Sequence, residues 1–156
     1  LRTMAISKSI SKIILLAFGF LGLTVLDQWV KFAISEQGGF FIWPEFLDIG
    51  FYKNYGIAFS IPLPLYLMYP LIALALAMIV WRYRAQLRRR HFWIWVACLS
   101  VFGGAISNLF DRLYRGYVVD YIHFSFGSTF NIADMMIVAG VGILLWRELR
   151  KPKTLI

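Results

Sequence analysis

Apolar residues along this chain gather into four blocks, about 13–30, 63–80, 92–110 and 132–146, separated by segments in which polar, aromatic and breaker residues mix. Each block approaches the ~20 residues that carry an α-helix across the hydrocarbon core of a bilayer. Lipid offers backbone groups no hydrogen-bond partner, whereas a helix pairs its own N–H and C=O groups, so four helices are predicted. Closed barrels would need alternating polarity, which the blocks lack. The fourth block is short and carries Asp134 near its start.

Between the first two blocks, the segment 32–61 has Gly38, Gly39 and Pro44 as breakers, followed by apolar Leu47, Ile49 and Phe51 at period two. That pattern predicts a short strand or hairpin on the membrane surface. Trp43, Phe46, Phe51, Tyr52 and Tyr55 add rings of the kind that settle at headgroup depth. Lys8 and Lys12 precede the first block as in a secretory signal, yet the run to Val30 is nearer span length and lacks a small-x-small cleavage site. It is read as a permanent helix.

Composition agrees with a membrane domain: of 156 residues, 60% are hydrophobic and only 15% charged, which excludes an ordinary water-soluble fold. The net charge of +8 comes from short clusters beside apolar blocks, so it points to anionic lipid and not to nucleic acid. Twelve of the sixteen basic residues fall on the side of the two termini; Lys31, Lys53, Arg112 and Arg115 fall opposite. By the positive-inside rule both termini are expected in the cytoplasm. Seven of the eight acids lie in or near the outer half, Glu148 being the exception. Cys98 is the only cysteine, which removes intramolecular disulfides and cysteine metal clusters.

Carboxylate chemistry is therefore expected near the outer face. Asp134 follows Asn131 by three residues, which fits a capped helix start; an ionisable group at span depth is equally a functional candidate. Asp120, in the apolar stretch 117–122, is either an interfacial partner of Arg112 or Arg115 or the second member of a carboxylate pair. Two acids sharing one proton can act as base and acid on a peptide bond. His91 and His123 fall on opposite sides, so no zinc site is expected. Ser107 lacks a nucleophile-elbow setting and a base at its depth, and reads as a small helix-packing residue with Gly103, Gly104 and Ala105. Asp27 and Lys31, four apart on one helical face, read as an anchoring ion pair; Asn108, Asp111 and Arg112 read as capping plus an interfacial charge pair, or else Arg112 orients a carboxylate or a substrate carbonyl through its planar fork.

Five ordered motifs extend from the first block to the fourth: Asp27-Gln28-x-x-Lys31, Asn54-x-Gly56-x-Ala58-Phe59, Gly103-Gly104-Ala105-x-x-Asn108-x-x-Asp111-Arg112, Val118-Val119-Asp120, and Phe130-Asn131-x-Ala133-Asp134. Together they resemble the motifs of the type II, or prolipoprotein, signal peptidases. The resemblance implies a cofactor-free, metal-free aspartic peptidase that cuts before a cysteine carrying diacylglycerol, with Asp120 and Asp134 as its catalytic pair. Asn54, Gly56, Asn108, Arg112, Asn131 and Ala133 match positions that line or support the site, Asp27 and Lys31 match a supporting motif, and the outer segment matches a β-cradle. Ser107 stands where glycine is common, Met135 where a small polar residue often follows the aspartate, and the interval between Asp120 and Asp134 is short.

The expected architecture is thus an all-α membrane protein, one domain over 1–156, with four transmembrane helices and a small extracytoplasmic β-cradle. The expected partners are a diacylglyceryl-prolipoprotein and membrane lipid, with no nucleic acid, in a monomer of the bacterial cytoplasmic (inner) membrane. A proton relay or small transporter is the rival, and it requires acids at several depths. A lipid-binding scaffold, in which both aspartates are replaceable, is a second.

Overall fold

The computed structural model describes residues 2–37, 39–43, 46–56 and 63–150. Gly38, Pro44, Ala58 and Phe59 lie outside the described residues. The elements run α1 (Arg2–Gln37), β1 (Phe40–Trp43), β2 (Leu47–Asn54), α2 (Leu65–Arg88), α3 (Phe92–Arg115), β3 (Val118–Phe124), β4 (Ser128–Phe130) and α4 (Ile132–Leu149). Helices occupy all four apolar blocks, and they overrun them. Helix α1 extends through Lys31 to Gln37, and α2 continues past the apolar block to Arg88. Backbone pairing continues into polar sequence wherever no breaker stands, so apolar content marks a minimum length for each helix.

Three helices, α1, α2 and α3, contain stretches long and apolar enough to cross a bilayer. Helix α4 has 18 residues and carries Asp134, Arg147 and Glu148. Large apolar side chains such as Phe18, Trp29, Tyr66, Val138 and Leu145 are exposed around the helices, as suits a surface solvated by lipid.

Small residues draw α3 and α4 together. A Cβ on Gly104 would collide with the Ala133 carbonyl oxygen, and one on Gly140 would stand 2.7 Å from the Ala97 carbonyl oxygen. Between these points the Ser100 hydroxyl donates to the Met136 carbonyl at 2.6 Å. At the end away from the sheet, Tyr83, Ile94, Ala97, Cys98 and Leu144 form an apolar core.

The strands form one antiparallel sheet in the order β1-β2-β3-β4. The hairpin β1-β2 is the one the segment 32–61 predicts; the hairpin β3-β4 has no counterpart in the apolar pattern. Gly116, with φ at 80°, ends α3 in the left-handed conformation and turns the chain directly into β3.

Candidate active site

One irregularity in the sheet sets the geometry. Ile49 stands opposite Ile122, whereas Tyr52 stands opposite Asp120, so β2 holds one extra residue between them. Without this bulge Phe51 would face Asp120 and Lys53 would face Val118; with it, Asn54 takes the place beside Val118. The Asn54 Nδ2 then donates to Asp120 Oδ2 at 2.9 Å, while its Oδ1 accepts from the Gly56 N–H at 2.9 Å. The period-two reading of Leu47, Ile49 and Phe51 is therefore broken at the place that matters for the site.

Asn131 joins the two aspartates. Its Nδ2 donates to Asp120 Oδ1 at 2.7 Å, and its Oδ1 accepts from the Asp134 N–H at 2.9 Å. Asp134 Oδ2 accepts the Asn131 N–H at 3.4 Å in return. This is a capping box, so the cap expected at the start of α4 is present. Capping engages one face of Asp134 only, for its Oδ1 accepts from Asn108 Nδ2 at 2.7 Å. Asp120 is fully buried. Burial pushes its carboxyl up to about 6, against the opposing effect of the Asn54 amide, and the neighbouring Asp134 charge adds to the rise.

Asp120 is thus not paired with an arginine. Arg115 binds Asp111 at 2.5 Å, and Arg112 donates to the Gly56 carbonyl at 2.9 Å and the Asn108 carbonyl at 3.2 Å. Arg112 ties the turn after β2 to α3 and still contributes positive charge beside the two aspartates.

Asp27 and Lys31 do pair, at 2.7 Å, yet both are fully buried and so are not an interfacial anchor. Lys31 also reaches Asp111 Oδ2 at 2.9 Å and Asn108 Oδ1 at 2.9 Å. Asp27 receives the Tyr121 hydroxyl at 2.9 Å and the Ala133 N–H at 3.2 Å. Asp111, read from sequence as part of a cap and an interfacial charge pair, is buried and accepts the Val119 N–H at 3.2 Å. Ser107 is a correction of the same kind: its hydroxyl donates to Asp27 Oδ2 at 2.6 Å and accepts from Gln28 at 2.8 Å. A polar network crosses between helices where small apolar packing was expected, and a lysine shares its carboxylate. Tyr121 was missed altogether. Its place one residue after Asp120 in a strand of buried residues was the available signal.

Every candidate from the sequence, Asp27, Lys31, Asn54, Gly56, Asn108, Arg112, Asp120, Asn131, Ala133 and Asp134, therefore belongs to one connected network at the sheet end of the helices. The family model for signal peptidase (SPase) II matches residues 19–150. The lipoprotein signal peptidase of Helicobacter acinonychis (strain Sheeba) is 38% identical over 141 residues, covering 84% of this chain and 87% of that protein. That of Streptococcus pneumoniae (strain ATCC BAA-255 / R6) is 33% identical over 132 residues, 81% and 86% of the two chains. A bacterial membrane enzyme solved by the in meso method superposes with a TM-score of 0.77 at 27% identity, covering 94% of this chain and 95% of the other. The chain belongs to the signal peptidase II family, and it is a bacterial membrane protease.

Proposed function

We propose that this protein removes signal peptides from diacylglyceryl-modified prolipoproteins by aspartic chemistry, with Asp120 and Asp134 as the reacting pair. The observation that carries the reading is the pair itself: two carboxyl groups linked through Asn131, with every oxygen met by an N–H donor. Donors of this kind stabilise ionised carboxylates, while burial of Asp120 favours its acid form, so the pair is suited to hold a single proton. The ionised member takes a proton from water as the water oxygen adds to the scissile carbonyl carbon. The protonated member donates to the forming oxyanion. Collapse of the tetrahedral species breaks the C–N bond: one hydroxyl proton returns to the member that had donated to the oxyanion as the C=O re-forms, and the proton gained from water passes to the leaving nitrogen.

The sheet end is expected at the outer face, with both termini cytoplasmic and α4 as a fourth, shorter span. The whole chain then acts as one domain, a monomer in contact with lipid, and needs no metal or cofactor. Arg88 and Arg147 near the opposite helix ends support that orientation. A proton relay finds little support: beyond Asp134, Ser100 is the one buried polar side chain on the α3–α4 interface among the described residues.

The test is cleavage of a diacylglyceryl precursor by purified protein. Asp120→Asn and Asp134→Asn each keep the size of the side chain but cannot exchange a proton, and each should lower kcat by about a hundredfold to ten-thousandfold. Either variant cleaving at near the parental rate removes that aspartate from the mechanism.

A further inference from the structure

We infer that Lys31 is a positioning residue for cleavage: its ammonium group fixes the orientation of the Asn108 carboxamide, which in turn holds an N–H donor against Asp134. The inference rests on the reading of Asp120 and Asp134 as the reacting pair.

A carboxamide has nearly the same shape either way round, so its partners decide which end faces which. Three asparagines present amides to the two aspartates. The oxygen of Asn54 is held by the Gly56 N–H, and that of Asn131 by the Asp134 N–H. Backbone pins both. Asn108 differs, because its oxygen is held by a side chain, the Lys31 ammonium at 2.9 Å.

The ammonium has three N–H groups, and they meet three acceptors: Asp27 at 2.7 Å, Asp111 at 2.9 Å and Asn108. Its side chain is fully buried, so water does not compete. With its oxygen turned to Lys31, Asn108 must turn Nδ2 to Asp134, where it donates at 2.7 Å. Without Lys31, the remaining donor to that oxygen is Asn131 Nδ2 at 3.3 Å, which already makes its shorter bond to Asp120. The amide is then free to flip. Flipped, its oxygen would repel ionised Asp134, or accept a hydrogen bond from the hydroxyl of neutral Asp134 and hold that proton away from the shared pair. Lys31 makes no hydrogen bond to either aspartate of the pair; its charge is felt at both, and its orienting effect acts through Asn108.

Removing Lys31 alone would leave Asp27 without its cation, so the comparison is made in an Asp27→Asn background, where Asp111 keeps Arg115. Lys31→Gln in that background retains an N–H for Asn108; Lys31→Met does not, and the two doubles carry the same charge. In detergent, on a diacylglyceryl precursor, the Met double should show kcat about tenfold or more below the Gln double, with KM within about twofold. Equal kcat values overturn the inference. Should the Met double not fold, Asn108→Asp decides: it satisfies Lys31 but offers Asp134 no N–H, and a parental rate overturns the inference equally. Asp120→Asn and Asp134→Asn run in the same assay separate the two failures. If these cleave at near the parental rate, the reading of the pair fails; if they are inactive and the doubles match, only the role of Lys31 falls.

Discussion

The two ends of the α3–α4 helix pair are held by opposite means. At the sheet end Asp27, Lys31, Ser107, Asn108, Asp111, Asp120 and Asn131 are all buried, and hydrogen bonds and ion pairs link them across α1, α3, β3 and α4. At the other end the buried side chains are Tyr83, Ile94, Ala97, Cys98 and Leu144. Lipid is as apolar as leucine, so burying apolar surface gains little over leaving it in the bilayer; close packing holds the far end. Buried polar groups behave differently, because each one left unpaired is costly. The network consequently specifies a single arrangement at the end where side-chain geometry has to be exact to a fraction of an ångström.

That contrast predicts a pH dependence at the sheet end. Burial pushes the Asp120 carboxyl up to about 6 in the folded state, from an ordinary value of 3.8. Between those values the folded state binds more protons than the unfolded state, so stability falls as pH rises through this window and is level above it. The upper limit of the loss is about 3 kcal/mol. Thermal midpoints of the parent and of Asp120→Asn, measured from pH 4 to pH 8, should diverge over that interval, the parent losing more. Parallel curves would mean that Asp120 is not the buried acid the geometry makes it.

Much of this was legible in the sequence, and the failures have physical causes. Helices were legible because a span needs an uninterrupted apolar run, and the connected site residues because their motifs are ordered along the chain. The β2 bulge was not, since period-two alternation predicts an unbroken register and one extra residue near Gly50 reverses it. Ser107 was misread because a lone hydroxyl in a run of small residues looks like packing until its partners Asp27 and Gln28, on another helix, are placed. Burial of Lys31 and Asp111 was hidden for the same reason: the Asp27–Lys31 pair is legible from its spacing in α1, but the bond from Lys31 to Asp111 crosses between helices and leaves no spacing signal.

Glycine substitutions sharpen the comparison at a smaller scale. Gly104→Ala and Gly140→Ala each force α3 from α4, at a cost of about 1–3 kcal/mol. The consequences should differ. The added methyl at Gly104 meets Ala133, the residue before Asp134, so both thermal midpoint and kcat should fall; at Gly140 it meets Ala97 and Val101, and the midpoint alone should fall. Equal losses of kcat in the two variants would show that the ends are mechanically coupled.

The smallest effect belongs to an exposed charge contact at the far end. Arg82 binds Glu148 at 2.9 Å, with the arginine side chain 49% exposed and the glutamate 32%. A pair so open to solvent is screened by salt and must order two flexible side chains, which leaves it worth less than about 1 kcal/mol. Glu148 also retains the Tyr83 hydroxyl at 2.8 Å when the arginine is gone. Arg82→Ala should therefore lower the thermal midpoint by only about 2 °C, with the difference shrinking toward zero in 1 M salt, and kcat should stay at the parental value. Loss of cleavage in this variant would refute the division between the ends, because the pair joins α2 to the last turn of α4, at the opposite end of that helix from Asp134. Charge alone, then, does not distinguish the two ends; what separates Lys31 from Arg82 is the exclusion of water, which makes an ion pair directional at one end and nearly dispensable at the other.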